Sequence, residues 1–248
     1  MIATTSPSQM DEQAKLPCAT LEPGMLVEFI DNPREDSLTA AVFSHLLHLP
    51  SEMFWRILRE ACYTRNLPND PGEPKQLNVR PKWNYEGTWV KPDLFMRFDD
   101  FDLIIEAKIK DHMTQSRSQW EQELVAYTNE YGKERRPVRI IALGGIHAEK
   151  DEPLSYEGWE CPVHMCRWFT VLLECGRLKR ELEEIKNPSS QTCAYLRILN
   201  DLIAFFGEHG YVVLRWYDDF DFKSNLLDSS ADSNQRYFRN ISMKLQSS

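Results

Sequence analysis

The chain has 248 residues, 42% hydrophobic and 27% charged, with a formal net charge of −9. That composition fits one globular domain with a small appendage and supplies an ample core. The negative balance argues against coating nucleic acid by bulk charge, although a local basic cleft stays compatible with it.

No apolar run approaches the ~20 residues of a membrane span, and no basic segment followed by an apolar one marks a secretory signal. A cytoplasmic location without membrane contact is expected. Six scattered cysteines read as reduced thiols, and their spacing does not form the two close pairs of a zinc site.

Residues 1–24 are polar, lack periodicity and read as a flexible leader. Asn32, Pro33 and Glu35 then fit an N-cap, a first helical position and the third residue of a capping box. Leu38, Val42, Leu46 and Leu49 continue at helical spacing to Pro50. A second helix is predicted from Ser51 to about Thr64, with Phe54, Ile57, Leu58 and Ala61 inward. A turn-rich loop spans 66–74, and Gln76 to Trp83 reads as a strand. After the central hairpin described below, Thr114 to Tyr131 is helical, with Trp120, Leu124 and Tyr127 on one side.

Pro137 to Ile146 is a buried strand run ending in Gly144-Gly145, and it lacks the third glycine of a dinucleotide fingerprint. A long polar loop leads to a strand from Pro162 to Trp168 and a helix from Phe169 to about Lys186. Residues 187–190 break the chain before a helix from Tyr195 to Phe206 and a strand from Tyr211 to Tyr217. The acidic patch at Asp218, Asp219 and Asp221 lacks calcium-loop spacing, and an edge strand is expected from Tyr237 to Leu245. The domain reading is a leader (1–24), a core (25–186) and a C-terminal helical and β accessory segment (187–248). Basic clusters at Lys133, Arg135, Arg136 and Arg139, and at Arg177, Lys179 and Arg180, read as solvated faces or phosphate contacts.

The stretch Val90 to Lys110 organises the rest. Two apolar runs flank Asp99-Asp100-Phe101-Asp102, the pattern of a β-hairpin. A turn centred on Asp100 and Phe101 places Asp93 across from Lys108 and diagonal to Glu106. One face then gathers Asp93, Glu106 and Lys108, while Leu103, Ile105, Ala107 and Ile109 fill the other. Two carboxylates and an amine inside an apolar hairpin are expensive to bury unless they bind something, and a divalent cation is the natural candidate.

Pro92-Asp93, a spacer of twelve residues and Glu106-Ala107-Lys108 together resemble the signature of the PD-(D/E)XK nuclease superfamily. The resemblance covers roughly Glu35 to Lys186. It implies an α/β, restriction-endonuclease-like core with a mixed central β-sheet flanked by helices.

It also implies that Asp93, Glu106 and the Ala107 carbonyl hold Mg²⁺, with Mn²⁺ as substitute, and that Lys108 orients water, stabilises developing charge or, with a depressed pKa, moves a proton. An acidic residue on the first core helix faces the metal in many members. Glu35 stands at that place and competes with its own capping role. A glutamine on the following helix often completes the site, and Gln119 and Gln122 both qualify. Glu123 stands where some relatives carry a glutamine.

The implied function is a metal-dependent nuclease acting on DNA more than RNA, in defence against foreign DNA or in repair, with a homodimer or protein partner open. A silent nuclease-fold subunit that binds nucleic acid or a partner is the alternative. A third reading is an unrelated protein with an ordinary Asp93–Lys108 cross-strand salt bridge.

Overall fold

The structure, a computed structural model, describes residues 37–108, 114–134, 136–146 and 148–213. The expected leader, the cap at Asn32 with Glu35, and Arg135, His112 and His147 lie outside the described residues. So do the acidic patch at Asp218, the edge strand at Tyr237 to Leu245, and the expected strand at Tyr211 beyond Val213. The chain divides into two units, Met1–Tyr211 and Val212–Ser248, and only residues 212 and 213 of the second are described.

The elements in order are α1 (Ser37–Leu46), α2 (Ser51–Ala61), β1 (Gln76–Val79), β2 (Trp83–Tyr85), β3 (Thr88–Val90), β4 (Leu94–Arg97) and β5 (Asp102–Ala107). There follow α3 (Arg117–Tyr131), β6 (Val138–Leu143), β7 (Glu152–Tyr156), β8 (Trp159–Cys166), α4 (Trp168–Glu183) and α5 (Ser190–Glu208). Six strands form one mixed sheet in the order β1-β4-β5-β6-β8-β7. Strands β1, β4 and β5 run antiparallel, β5, β6 and β8 run parallel, and β7 returns antiparallel on β8. The expected mixed α/β sheet flanked by helices is therefore the observed architecture.

Parallel neighbours need a long crossover, and α3 supplies it between β5 and β6. Its Trp120, Leu124, Ala126 and Tyr127 join Phe95, Ile104, Ile140 and Val163 in one core. The other helices pack on one another, α4 and α1 against α5 and α2 against α4. Trp168, buried, meets Phe43 of α1 and Phe206 of α5 edge-on. Every residue of β5 is buried, as a central strand with a parallel neighbour requires.

The central hairpin differs from the expected register. Arg97 pairs with Asp102 and Leu94 with Ile105, so four residues rather than two form the loop, closed by the Phe98 amide on the Phe101 carbonyl at 2.9 Å. The register is shifted by two positions, and the next step of the ladder brings Asp93 opposite Glu106 instead of Lys108. A shift of two keeps every side chain on its face.

Other boundaries also move. The expected strand over Gln76 to Trp83 splits at Arg80, whose φ of 47° breaks the extended backbone. A small hairpin, β2–β3, occupies the stretch expected to lead directly into the centre. Strand β7 lies in the expected polar loop, with Leu154 as its buried residue. Helix α5 starts at Ser190, since Ser189 is its cap and accepts from the Thr192 amide at 3.0 Å. The described cysteines are free thiols, four of them buried.

His164, on β8, is fully buried between Arg139 and Asp151. A guanidinium only donates, so Nε2 accepts from Arg139 at 3.2 Å and Nδ1–H donates to Asp151 at 2.9 Å; the ring is neutral. Burial pushes its pKa down and the Arg139 charge adds to that, against the pull of Asp151. The unfolded chain therefore takes up this proton first, and stability present above about pH 6.5 is lost as pH falls below it. Urea midpoints measured between about pH 8 and pH 5 should fall on the acid side, and His164→Asn should flatten that fall. An equally steep fall in the variant would assign the acid sensitivity to other groups.

Candidate active site

Strand β5 carries side chains alternately to its two sides, and Asp102, Ile104 and Glu106 share the side covered by α3. On α3, Gln119, Glu123 and Tyr127 are spaced four apart and form one stripe. The stripe docks on the strand at two places. Tyr127 donates to Asp102 Oδ2 at 2.8 Å, and Gln119 Nε2 donates to Glu106 Oε1 at 2.6 Å. Gln122 points to solvent. Of the two glutamines left open by the sequence, Gln119 is the one at the carboxylates.

Around Glu106 the expected residues converge. Lys108 Nζ donates to Glu106 Oε1 at 2.6 Å, and Asp93 Oδ2 accepts from the Ala107 amide at 2.8 Å. The ion pair of Lys108 is thus with Glu106 on its own strand, not the Asp93 pair of the salt-bridge reading. Glu35, expected to face this point, lies outside the described residues.

Sequence reasoning missed two members. Glu123 is fully buried beside Gln119, which reaches its Oε1 at 3.4 Å, while its Oε2 finds no hydrogen-bond partner. A signal exists: Trp120, Glu123, Leu124 and Tyr127 follow the i, i+3, i+4, i+7 template of a buried face, with one carboxylate inside it. The second is Gln115, whose amide donates to the Glu106 carbonyl at 3.0 Å and the Leu143 carbonyl at 3.3 Å, and whose oxygen accepts from the Trp120 indole at 2.9 Å. It ties the ends of β5 and β6 together.

The far side of Lys108 is equally constrained. Its amide donates to the Leu143 carbonyl at 2.8 Å and its carbonyl accepts from the Trp168 indole at 3.0 Å. Gly144, at φ 72°, passes so close that a Cβ would stand 2.2 Å from the Lys108 carbonyl oxygen. The glycine turn therefore fixes where the lysine leaves the sheet.

The electrostatics are those of too much negative charge in one place. Burial, with Glu106 as neighbour, holds the Asp93 carboxyl up at about 7, against the Ala107 amide, Lys108 and Arg80. Burial pushes Glu123 well above the ordinary range, and Glu106 raises it further by charge and as acceptor of its proton. Burial disfavours the Lys108 ammonium, but Glu106, Asp93 and Glu123 outweigh it and the net shift is upward. Lys108 therefore holds its proton in this arrangement of charges.

Among the described residues, no group of three or more His, Cys, Asp and Glu side chains is gathered closely enough to hold a metal ion. Two carboxylates are nevertheless the usual protein share of a Mg²⁺ site, the rest being water and substrate phosphate. Asp93 and Glu106 are hard oxygen donors under mutual repulsion, so the residues present fit a hard dication.

Replacing one of several mutually repelling buried carboxylates should stabilise the fold. In EDTA at about pH 8, Asp93→Asn is expected to raise Tm by a few degrees, since an amide oxygen still accepts from Ala107 and one charge is gone. A lower Tm would mean that Asp93 serves a structural ion pair.

No family model matches the chain. An uncharacterized protein of Pasteurella multocida is 26% identical over 190 residues, covering 73% of this chain and 72% of that protein. Among solved structures, McrB AAA+ hexamers with bound McrC from Thermococcus gammatolerans include a chain that is 16% identical. The match covers 61% of this chain and 32% of that one at a TM-score of 0.28. The small subunit of the heterodimeric restriction endonuclease R.BspD6I is 17% identical, covering 52% of this chain and 81% of that one at a TM-score of 0.25. The chain spans about a third of the first of these matched chains and most of the second.

Proposed function

We propose that the chain is a metal-dependent nuclease that hydrolyses phosphodiester bonds, in DNA more than in RNA. The carrying observation is the meeting at Glu106 of an opposed carboxylate, Asp93, with the Lys108 amine and the Gln119 amide, at the end of a buried strand where Asp93 and Lys108 are partly exposed. The Asp–Glu–Lys pattern that resembles the PD-(D/E)XK superfamily is thereby one cluster in space, while Glu35 stays an expectation of that resemblance.

Asp93, Glu106 and the Ala107 carbonyl would hold Mg²⁺, or Mn²⁺ in its place, with Glu35 as a further ligand. A bound dication there would neutralise charge on the attacked phosphate and act as a Lewis acid. Lys108 would orient the attacking water or stabilise the negative charge that grows on the phosphate oxygens, and a dication beside it would lower its pKa toward a proton-transfer role. Gln119 fixes the Glu106 carboxylate, and Gln115, Gly144 and Trp168 fix the backbone on either side of Lys108. Such rigidity keeps the charges where the transition state needs them without reorganisation. Defence against foreign DNA or repair, and a homodimer or protein partner, belong to the same proposal.

A second reading, a nuclease-fold subunit that binds nucleic acid or a partner without cutting, is kept open by the net charge of −9, which weighs against strong electrostatic capture of a substrate.

The test is degradation of plasmid, linear and single-stranded DNA and of RNA with Mg²⁺ or Mn²⁺, beside an EDTA control. Cleavage is expected to stop in EDTA and to fall by about 100-fold or more in Lys108→Ala, with the fold unchanged by circular dichroism. Cleavage that survives EDTA or Lys108→Ala would remove the metal and the lysine from the reaction. No cleavage together with no Mn²⁺ binding by calorimetry would select the subunit reading.

A further inference from the structure

The β2–β3 hairpin stands immediately before Pro92-Asp93 and takes no part in the arrangement around Glu106. Its two-residue loop, Glu86-Gly87, has φ of 47° and 80°, the left-handed pair of a tight primed turn. Its inner face is anchored. Trp83 is buried edge-on against Phe95, Tyr127 and Tyr131 at centroid distances of 5.3, 6.0 and 5.9 Å. Asn129 of α3 also donates to the Asn84 carbonyl at 3.2 Å. The ribbon is a stiff shelf on α3.

Its outer face is of another kind. Asn84 pairs with Trp89 across the ribbon, and Trp89 is 63% exposed, the most open large hydrophobic side chain described. Trp83 pairs with Val90, so one further step brings Lys82 opposite Lys91 on the same outer face as Trp89. Both lysines are exposed, and among the described residues neither pairs with a carboxylate. Like charges directly opposed on a ribbon destabilise it unless an anion lies between them. Glu86, at the tip, is the one acidic residue of the ribbon between Lys82 and Lys91. The other basic clusters are differently engaged: Arg136 binds Asp102, Arg139 binds His164, Arg177 binds Glu174 and Lys179 binds Glu183.

We propose that this face binds the nucleic-acid strand next to the reacting phosphate, with an unpaired base stacked on Trp89 and its phosphate held between Lys82 and Lys91. The proposal rests on the nucleic-acid substrate named above and adds how that substrate is held. The chemistry is that of single-strand recognition, an aromatic platform with cations beside it. A tryptophan on an anchored ribbon offers a large π-face at a fixed place on the backbone. Lys91 lies two residues from Asp93, at most ~7 Å along the chain, and Trp89 at most ~14 Å, so a strand crossing the shelf reaches the carboxylates within a few nucleotides. Unpaired bases stack there and duplex bases do not, which gives the site a preference for single-stranded or frayed substrate.

The experiment is fluorescence anisotropy of labelled oligothymidylate and of a blunt duplex with the full chain, in EDTA so that no cleavage intervenes. Wild type is expected to bind oligothymidylate, Trp89→Ala to weaken it about tenfold or more, and Trp89→Phe to keep most of it. Lys82→Gln and Lys91→Gln should each reduce the slope of log affinity against log salt by about 0.7. Duplex binding should change less in Trp89→Ala. Oligothymidylate binding that Trp89→Ala leaves intact, or no binding of it by wild type, overturns the proposal, and a pulled-down protein lost on Trp89→Ala would then make the shelf a protein interface. Cleavage by wild type with indifference to Trp89→Ala sinks the shelf alone. Trp89-dependent binding with neither cleavage under Mg²⁺ or Mn²⁺ nor Mn²⁺ binding by calorimetry sinks the nuclease reading alone.

Discussion

The docking of α3 on β5 is the contact on which the site depends. One helical stripe meets two carboxylates on one strand, and the two ends differ in how their charge is met. At one end Asp102, fully buried, receives Arg97, Arg136 and the Tyr127 hydroxyl, with Arg97 also lying over the Tyr131 ring. At the other end, among the described residues, Asp93, Glu106 and Glu123 crowd around the Lys108 ammonium, with Arg80 adding a further pull on Asp93. The first end is a satisfied buried network of the sort that specifies a fold. The second is under-neutralised, and strongly perturbed carboxylates of that kind gather where function resides.

The helix does both jobs because its residues recur every four positions. Tyr127 locks the start of β5, so Gln119, two turns earlier, is delivered to the end of it. A bundle of backbone ties then holds the position that Lys108 needs. Gln115 spans β5 and β6, Gly144 passes under the Lys108 carbonyl, and Trp168 caps that carbonyl from α4. These contacts involve three separate elements, so a displacement of α4 or of the glycine turn would reach the lysine without touching a carboxylate.

Much of the site is legible in the amino-acid sequence. The period of two places Asp93, Glu106 and Lys108 on one face, and they stay there although the hairpin register differs from the expected one by two positions, because an even shift preserves the face. What the shift changes is the partner: Asp93 stands opposite a like charge rather than an amine. That reverses the sign of the expected energetics. Glu123 is legible as a carboxylate within the buried stripe of α3, yet the family pattern presents it as a missing glutamine instead of a buried acid. Strand β7 is harder to see, since Leu154 is its buried residue and Pro153 weakens the strand pattern.

By itself, the sequence determined the periodicities, hence the helices, the central hairpin, the faces and the identity of the acid and amine residues. Those follow from local geometry, which repeats along the chain. Tertiary structure alone decided the register, the choice of Gln119 over Gln122, the pairing of Lys108 with Glu106 and the orphaned oxygen of Glu123. Each of these depends on how one element settles against another, and that settling is fixed by packing of the whole core rather than by spacing along the chain.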